Sequence, residues 1–287
     1  MCVTFVYIDH EPTAKYKLIL LNNRDEFLDR ATSEAKWEQG ILAGRDEKIT
    51  DVRGTWLAMD TSGRIGNLLS ITIPFHKVKQ HAPSRGALPM EFLRSKKSPS
   101  RFCESLTSVA DAYNAFQILC LQRNNENQYD LCTLASCFVD RIQPINYPPG
   151  VYGFGNSPPD KPFKKVQRGL DLMRNVVDEL KIEEPCEEKI IARLMNIATD
   201  RVQCFPDEQL QKQCQRSTEI CRFRTSLYVQ YPDGIRYGTR SHSIILVDRS
   251  NRVTFYEKRM TSVPQHIDDA EWAEQSFHFN INNSSLG

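Results

Sequence analysis

The cysteine at the second position is the first residue of the chain that could do chemistry. Initiator methionine is normally removed when the next residue is small, so we expect a mature chain that begins with Cys2. An α-amine titrates near pH 8 and a thiol at about 8.5 in reference peptides. Cys2 would then carry both a thiol nucleophile and a base suited to neutral pH. Cysteine is also a common buried residue, so its position alone leaves a packing role open.

A run of polar residues, Asn22-Asn23-Arg24-Asp25-Glu26, follows the second apolar stretch of the chain. The two apolar stretches, at 3–8 and 17–21, indicate an N-terminal β-hairpin, and we expect the polar run to end its second strand. In a hairpin the end of the second strand returns beside the start of the first, which brings Arg24 near Cys2. A guanidinium favours thiolate over thiol, and a carboxylate can hold the α-amine. The alternative is a salt-bridged turn without catalytic function.

Strand and helix patterns occur in separate blocks along the chain. Such blocks favour an α+β fold over strict βαβ alternation. No internal repeat or linker divides the sequence, which predicts a single domain over residues 1–287. The periodicity predicts further strands at 55–59, 65–72, 116–122, 129–138, 225–231, 243–247, 253–258 and 277–281, and helices at 88–94, 101–113, 161–180 and 187–200.

Composition excludes several classes of protein. With 37 Lys+Arg against 36 Asp+Glu, the chain has no net field that would draw it to nucleic acid or an anionic membrane. Its nine cysteines contain no C-x-x-C spacing, so we expect free thiols in a reducing compartment and no structural metal. No apolar run is long enough for a signal peptide or a membrane span. We therefore expect a cytoplasmic protein without a transmembrane segment or a nucleic-acid partner.

Six motifs occur in the order in which a known family has them. Each motif is weak alone, but their order over residues 1 to about 280 is specific. On these residues the sequence resembles the transport and Golgi organisation 2 family. The motifs are Met1-Cys2-x-x-Phe5, Asn23-Arg24-Asp25-Glu26-Phe27, Gly54-Thr55-Trp56-Leu57, Ser84-Arg85-Gly86, Gly150-x-Tyr152-Gly153-x-x-Asn156 and Tyr237-Gly238-Thr239-Arg240-Ser241.

The resemblance implies the N-terminal-nucleophile hydrolase fold, a four-layer αββα sandwich of two antiparallel sheets between helical layers. It extends more distantly to cysteine amidases that cleave bile-salt conjugates and penicillins. Carried over by position, Cys2 would be the nucleophile and its α-amine the base. Asn156 would donate to the developing oxyanion, and Arg240 would lower the thiol pKa or bind a substrate anion.

The early motif admits two assignments under this resemblance. In the amidases the acid lies three positions after the arginine, whereas Arg24 and Asp25 are adjacent here. Either Arg24 and Asp25 take those two roles, or Glu26 matches the acid and Asn23 stands where the arginine would be.

For function, the family resemblance implies a haem-mobilising chaperone that moves haem out of storage or synthesis compartments, with a role in secretion and Golgi organisation. Haem would be the cargo and haem-receiving proteins the partners, at the mitochondrion or Golgi surface as well as in the cytoplasm. The candidate haem contacts are His242, two residues after Arg240, and His76 and His81 in a basic segment. The alternatives are an N-terminal cysteine hydrolase acting on an amide or acyl-thioester, and an interaction scaffold in trafficking.

Overall fold

The computed structural model describes residues 1–49, 51–262 and 269–281. The chain divides into two compact units. The first unit combines Met1–Asp29 with Pro149–Phe279, and the second contains Arg30–Pro148 and the described residues after Phe279. Within the described ranges, no helix is long and apolar enough to cross a membrane. A single domain over 1–287 stays a prediction.

The first unit is built on a six-stranded antiparallel sheet in which the two chain segments alternate. The strand order is β10-β1-β2-β11-β12-β13, so the N-terminal hairpin lies inside the sheet. Strand β1 pairs with β2 on one side and with β10 on the other. The strands are β1 Val3–Ile8, β2 Tyr16–Phe27, β10 Gly150–Phe154, β11 Tyr237–Asp248, β12 Arg252–Met260 and β13 Trp272–Asn280.

Helices cover one face of this sheet over a large apolar cluster. The helix α3 lies close to β1 because position 169 is glycine: a Cβ there would lie only 2.1 Å from Cζ of Phe5. This contact fixes β1, and with it the start of the chain, against the helical layer. The helices are α3 Lys164–Ile182, α4 Glu187–Ala198, α5 Glu208–Cys214 and α6 Thr218–Arg222.

The second unit contains a seven-stranded antiparallel sheet in sequential order, β3 to β9. Two helices pack on one face over a second apolar cluster that includes Phe92, Phe102 and Ile118. The strands are β3 Thr32–Glu38, β4 Ile41–Asp46, β5 Leu57–Asp60, β6 Ile65–Ser70, β7 Phe116–Arg123, β8 Tyr129–Ala135 and β9 Ile145–Tyr147, and the helices are α1 Leu88–Arg94 and α2 Pro99–Leu106.

The predicted α+β class is confirmed, with two antiparallel sheets and helices on each. Each unit supplies one sheet and one helical layer, which are the parts that an αββα arrangement requires. The N-terminal hairpin is also confirmed. The strand expected at 225–231 is wrong: apart from a single bridge between Gln230 and Gly238, this segment forms no β-ladder.

The expectation that the polar run ends the second strand is wrong as well. Strand β2 continues through it to Phe27. The run can stay in the sheet because its side chains find buried partners: Asn22 donates to the Thr4 hydroxyl at 2.9 Å and to the Val3 carbonyl at 3.2 Å. Paired polar groups do not carry the cost of unpaired burial.

Candidate active site at the start of the chain

The sheet registers place three of the expected site residues side by side. Val3 lies opposite Asn23, so one further step puts Cys2 opposite Arg24. Thr4 lies opposite Phe154, and two further steps put Cys2 opposite Asn156. Residues directly opposite each other on antiparallel strands share a face of the sheet. Cys2 therefore lies next to Arg24 of β2, and the β1–β10 register, extended past the end of β10 at Phe154, points to Asn156 on the other side.

The backbone after β10 stays beside the start of the chain. A Cβ added at Gly155 would lie 3.9 Å from the Cys2 carbonyl oxygen and 2.7 Å from Cγ2 of Val166. Glycine at this position thus lets α3 and the start of the chain approach the same stretch of backbone. Asn156 follows directly and is 98% buried, with 2% of its surface exposed.

Arg240 lies at an irregularity between β2 and β11. Ser241 pairs with Arg24 and Thr239 pairs with Asp25, which leaves Arg240 as the extra residue of a β-bulge. A bulge places two residues opposite one, so Arg240 and Ser241 both oppose Arg24. The Arg240 side chain donates to the Phe27 carbonyl oxygen at 3.2 Å. Arg240 is therefore one strand further from Cys2 than Arg24 is.

The Cys2 thiol is held by the backbone of Asp25. The Asp25 N–H donates to Sγ at 3.4 Å, and Sγ lies 3.7 Å from the Asp25 carbonyl oxygen. Burial raises the pKa of the Cys2 thiol, and this outweighs the lowering effect of the nearby chain terminus and of Arg24. Proximity to Arg24 alone therefore does not produce a thiolate, and a base must remove the proton.

The amino group that could act as this base belongs to Met1 in this chain, and it is buried with a carboxylate and a lysine. The amine contacts the Tyr237 hydroxyl and lies 3.6 Å from Asp25 Oδ2. Lys165 Nζ lies 3.8 Å from the same oxygen. Burial lowers the pKa of the Met1 amine, although Asp25 opposes this effect. A neutral amine, able to accept a proton, is thereby favoured.

Between the two assignments of the early motif, the geometry brings Asp25 to the chain terminus. Thr239 donates from Oγ1 to Asp25 Oδ1 at 2.6 Å and orients the carboxylate. Glu26 accepts the N–H of Phe27 at 2.9 Å and lies 4.0 Å from the Arg24 guanidinium.

Asn23 lies beside these residues but binds elsewhere. Its amide donates to the Ala198 carbonyl at 2.8 Å and to the Leu227 carbonyl at 3.1 Å. Its Oδ1 lies 2.8 Å from His242 Nδ1. Asn23 therefore joins β2 to the helical layer and to β11. Of the early motif, Arg24 and Asp25 are the residues that the structure brings to Cys2.

Lys165 is a site residue that the sequence reasoning missed. Its ammonium is buried, donates to the Met1 carbonyl at 3.0 Å and to the Ser226 carbonyl at 3.1 Å, and burial lowers its pKa. Its signal in the sequence is a lysine on the apolar stripe of a helix, four residues before Gly169 and eight before Met173. Tyr237 was part of a motif but had no assigned role.

The three histidines proposed to contact haem do not share one unit. His242 is buried and packs against the rings of Tyr228 and Trp272, whose centroids lie 6.0 and 5.4 Å from its own. Burial lowers the pKa of His242 to about 3, with a smaller effect from Lys258, so the imidazole is neutral. His76 and His81 are exposed in the second unit. Haem contact at these residues stays a prediction.

A separate groove of about 1380 Å³ lies in the first unit. Its walls are the turn between β1 and β2, helix α4, the turn between β11 and β12, and the outer strands β12 and β13. His278 lies in it and its Nε2 is 2.9 Å from Glu187 Oε1. In the described part of the chain, no group of three or more His, Cys, Asp or Glu residues is placed to hold a metal ion. Lining residues include Tyr16, Met195, Arg249, Tyr256, Lys258 and His278.

Comparison with known proteins gives matches along nearly the whole chain. The transport and Golgi organization protein 2 of Drosophila melanogaster is 31% identical in an alignment of 290 positions that covers 95% of this chain and 95% of the relative. The Mus musculus homolog is 28% identical in an alignment of 287 positions that covers 98% of this chain and 99% of the relative. Among solved structures, a Caenorhabditis elegans N-acylethanolamine-hydrolyzing acid amidase ortholog aligns with a TM-score of 0.39 at 11% identity, covering 85% of this chain and 92% of that one. The profile of the Transport and Golgi organisation 2 family matches residues 1–262, and the chain belongs to this family.

Proposed function

We propose that the chain is an N-terminal cysteine hydrolase that acts on an amide or an acyl-thioester. The observation that carries the proposal is the convergence at one end of β1, where the Cys2 thiol, the buried chain terminus (here the Met1 amine) and the Asp25 carboxylate lie together; the β1–β10 register, extended past Phe154, would bring Asn156 alongside. The reaction requires a chain that begins with Cys2, so that the amine and the thiol belong to one residue.

In the first step, the Cys2 α-amine accepts the thiol proton and the sulfur attacks the substrate carbonyl carbon. The negative charge that develops on the carbonyl oxygen is stabilised by the side-chain N–H of Asn156. The Asp25 N–H, which donates to Sγ at 3.4 Å, favours the thiolate before attack. The tetrahedral intermediate then collapses, and the leaving amine or thiol takes the proton from the α-ammonium. Water, activated by the same amine, hydrolyses the acyl-cysteine.

Intact-mass spectrometry tests both the premise and the reaction. The mass of the purified chain shows whether Met1 has been removed. Incubation with an acyl-thioester should then add one acyl mass to residue 2. Cys2→Ala, which also permits removal of Met1, is the matched control and should give no adduct. A chain that begins with Cys2 and forms no adduct with any amide or acyl-thioester would contradict the proposal.

Haem carriage, which the family resemblance implies, is a second candidate function. The observation that favours it is the groove in the first unit, whose volume exceeds what a drug-sized ligand needs. It contains His278 and Tyr256, residue types that ligate haem iron, and Arg249 and Lys258, which suit propionates. The names of the relatives extend this candidate to transport and Golgi organisation.

A haem titration followed by absorbance separates this candidate from the first. We expect His278→Gln and Tyr256→Phe to weaken binding and transfer to an apo-acceptor, and Tyr113→Phe, in the second unit, to serve as the control. Cys2→Ala should leave haem binding unchanged. Equal binding by all of these variants would place haem outside the groove and contradict this candidate.

A further inference from the structure

Met1 lies in a pocket that contacts its amino group, its carbonyl oxygen and its side chain. Only 5% of its surface is exposed. Its amine contacts the Tyr237 hydroxyl and Asp25, and its carbonyl oxygen accepts a hydrogen bond from Lys165 Nζ at 3.0 Å. Its side chain belongs to the large apolar cluster of the first unit. We call the space that Met1 occupies the residue-1 pocket, defined by Asp25, Lys165 and Tyr237.

These contacts form a recognition pattern. The Asp25 carboxylate and the Tyr237 hydroxyl face the amino group of residue 1, and the Lys165 ammonium faces its carbonyl oxygen. Apolar side chains surround its unbranched side chain. Those three features together select an α-aminoacyl group. Asp25 Oδ2 is buried and has no hydrogen-bond donor within 3.5 Å among the described residues, although the amino groups of Met1 and Lys165 lie 3.6 and 3.8 Å away. An ammonium that approaches more closely would satisfy it.

We propose that, in a chain that begins with Cys2, the residue-1 pocket binds an α-amino acid or aminoacyl derivative with an unbranched apolar side chain. The inference deepens the proposed function, since it names an aminoacyl group as the acyl part that reaches the Cys2 thiol. The ligand's ammonium lies at Asp25 and Tyr237, and its carbonyl or carboxylate oxygen lies at Lys165.

Charge explains why a zwitterion or an aminoacyl group fits better than a simple anion or cation. Once Met1 is removed, the charged groups of the pocket are the Asp25 carboxylate and the Lys165 ammonium, which lie 3.8 Å apart. A further unpaired charge would raise the cost of burial. A zwitterion adds equal charges of both signs, and each meets an opposite partner in the pocket.

The test compares two forms of the full chain, one that begins with Cys2 and one released from a fusion so that it retains Met1. The probes are L-methionine, L-methioninamide and, as comparators, L-glutamate and D-methionine. By calorimetry we expect saturable binding of the first two probes to the Cys2-first chain. The Met1-retaining chain should not bind them, because its own residue occupies the pocket.

Variants of the pocket test the assignment of contacts. Lys165→Met should weaken L-methionine binding about 10- to 100-fold, the effect of losing one hydrogen bond to a charged group. Lys164→Met is the matched control, because Lys164 is the exposed neighbour on the same helix turn. If Lys165→Met does not fold, Tyr237→Phe replaces it and should weaken binding in the same direction.

The outcomes distinguish this inference from the proposed hydrolase. Methionine binding by a Cys2→Ala chain that forms no adduct supports the pocket without the chemistry. An absence of binding to the Cys2-first chain overturns the inference, as does equal binding by the Met1-retaining chain. Adduct formation from simple acyl-thioesters without any methionine binding supports the hydrolase and overturns the pocket.

Discussion

Gly169→Ala should destabilise the protein through a single contact between α3 and β1. The new Cβ would lie 2.1 Å from Cζ of Phe5 and 2.8 Å from both Cε atoms. Carbon atoms in contact are separated by at least about 3.5 Å. The ring or the helix must therefore move by about 1.4 Å, in an interior where Phe5 is 1% exposed.

Two opposing effects determine how much Gly169→Ala lowers the free energy of unfolding. Overpacking of this kind costs about 1–3 kcal/mol. Alanine is favoured over glycine inside a helix by about 0.8–1.0 kcal/mol, which offsets part of that cost. The short distance puts the overpacking cost in the upper half of its range, about 2–3 kcal/mol, so we expect a net loss of about 1–2 kcal/mol in the free energy of unfolding. For a chain of 287 residues the corresponding drop in Tm is about 2–4 °C. Because β1 begins next to Cys2, adduct formation should also slow.

Chemical denaturation of four variants isolates the contact. Phe5→Leu removes the ring that the new methyl group meets, so Gly169→Ala in that background should cost about 1 kcal/mol less than in the parent. Gln167→Ala, at an exposed position of the same helix, should change stability by less than about 0.5 kcal/mol. Additive effects of the two core substitutions, or a Gly169→Ala variant as stable as the parent, would refute the packing argument.

Three further predictions concern buried polar groups. Lys165→Met and Asp25→Asn should each lower the free energy of unfolding in urea by about 3–5 kcal/mol, because each leaves a buried charge, and the double variant should cost less than their sum. His242 is neutral when folded, with a pKa of about 3 against 6.5 when unfolded. Its contribution to stability is therefore present above pH 6.5 and is lost as the pH falls towards 3. In that pH range, His242→Gln should reduce the slope of the free energy of unfolding against pH by about 1.4 kcal/mol per pH unit, and His81→Gln should leave the slope unchanged. Asn156→Ala should slow adduct formation about 10²- to 10³-fold in an intact-mass time course.

The N-terminal hairpin could be predicted because the apolar stretches at 3–8 and 17–21 are short and close in sequence. The same local reasoning failed for residues 22–26, since nothing in a polar run shows which groups will pair with it. Asn23 meets carbonyls at 198 and 227, and His242 lies across from it on β11. These partners are about 175 to 219 residues distant in the sequence, and only the folded sheet brings them together.

Lys165 shows why the candidate site was predicted only in part. The motifs pointed to Cys2, Asp25 and Asn156 as chemical groups; the Asp25 backbone does contact the Cys2 thiol, and the β1–β10 register, extended past Phe154, leads to Asn156. A lysine in an amphipathic helix, by contrast, is usually at the edge of the apolar face, where its ammonium reaches solvent. Gly169, four residues later, draws this helix so close to β1 that the ammonium of Lys165 meets the chain terminus instead.

The close approach of α3 also determines the acid–base properties of the site. Two amines and one carboxylate are buried together, and burial lowers the pKa of both amines. One of the amines can therefore be neutral while Asp25 stays paired with the other. The buried terminal amine of this structure belongs to Met1; in a chain that begins with Cys2, the proposed base would be the Cys2 amine, and burial beside Asp25 and Lys165 would favour its neutral form without a histidine. A looser packing of α3 would admit water to both amines and raise their pKa, because desolvation would be smaller. More of the terminal amine would then be protonated and unable to accept a proton. A substitution that weakens the Gly169–Phe5 contact should therefore lower both the stability of the protein and the fraction of neutral amine.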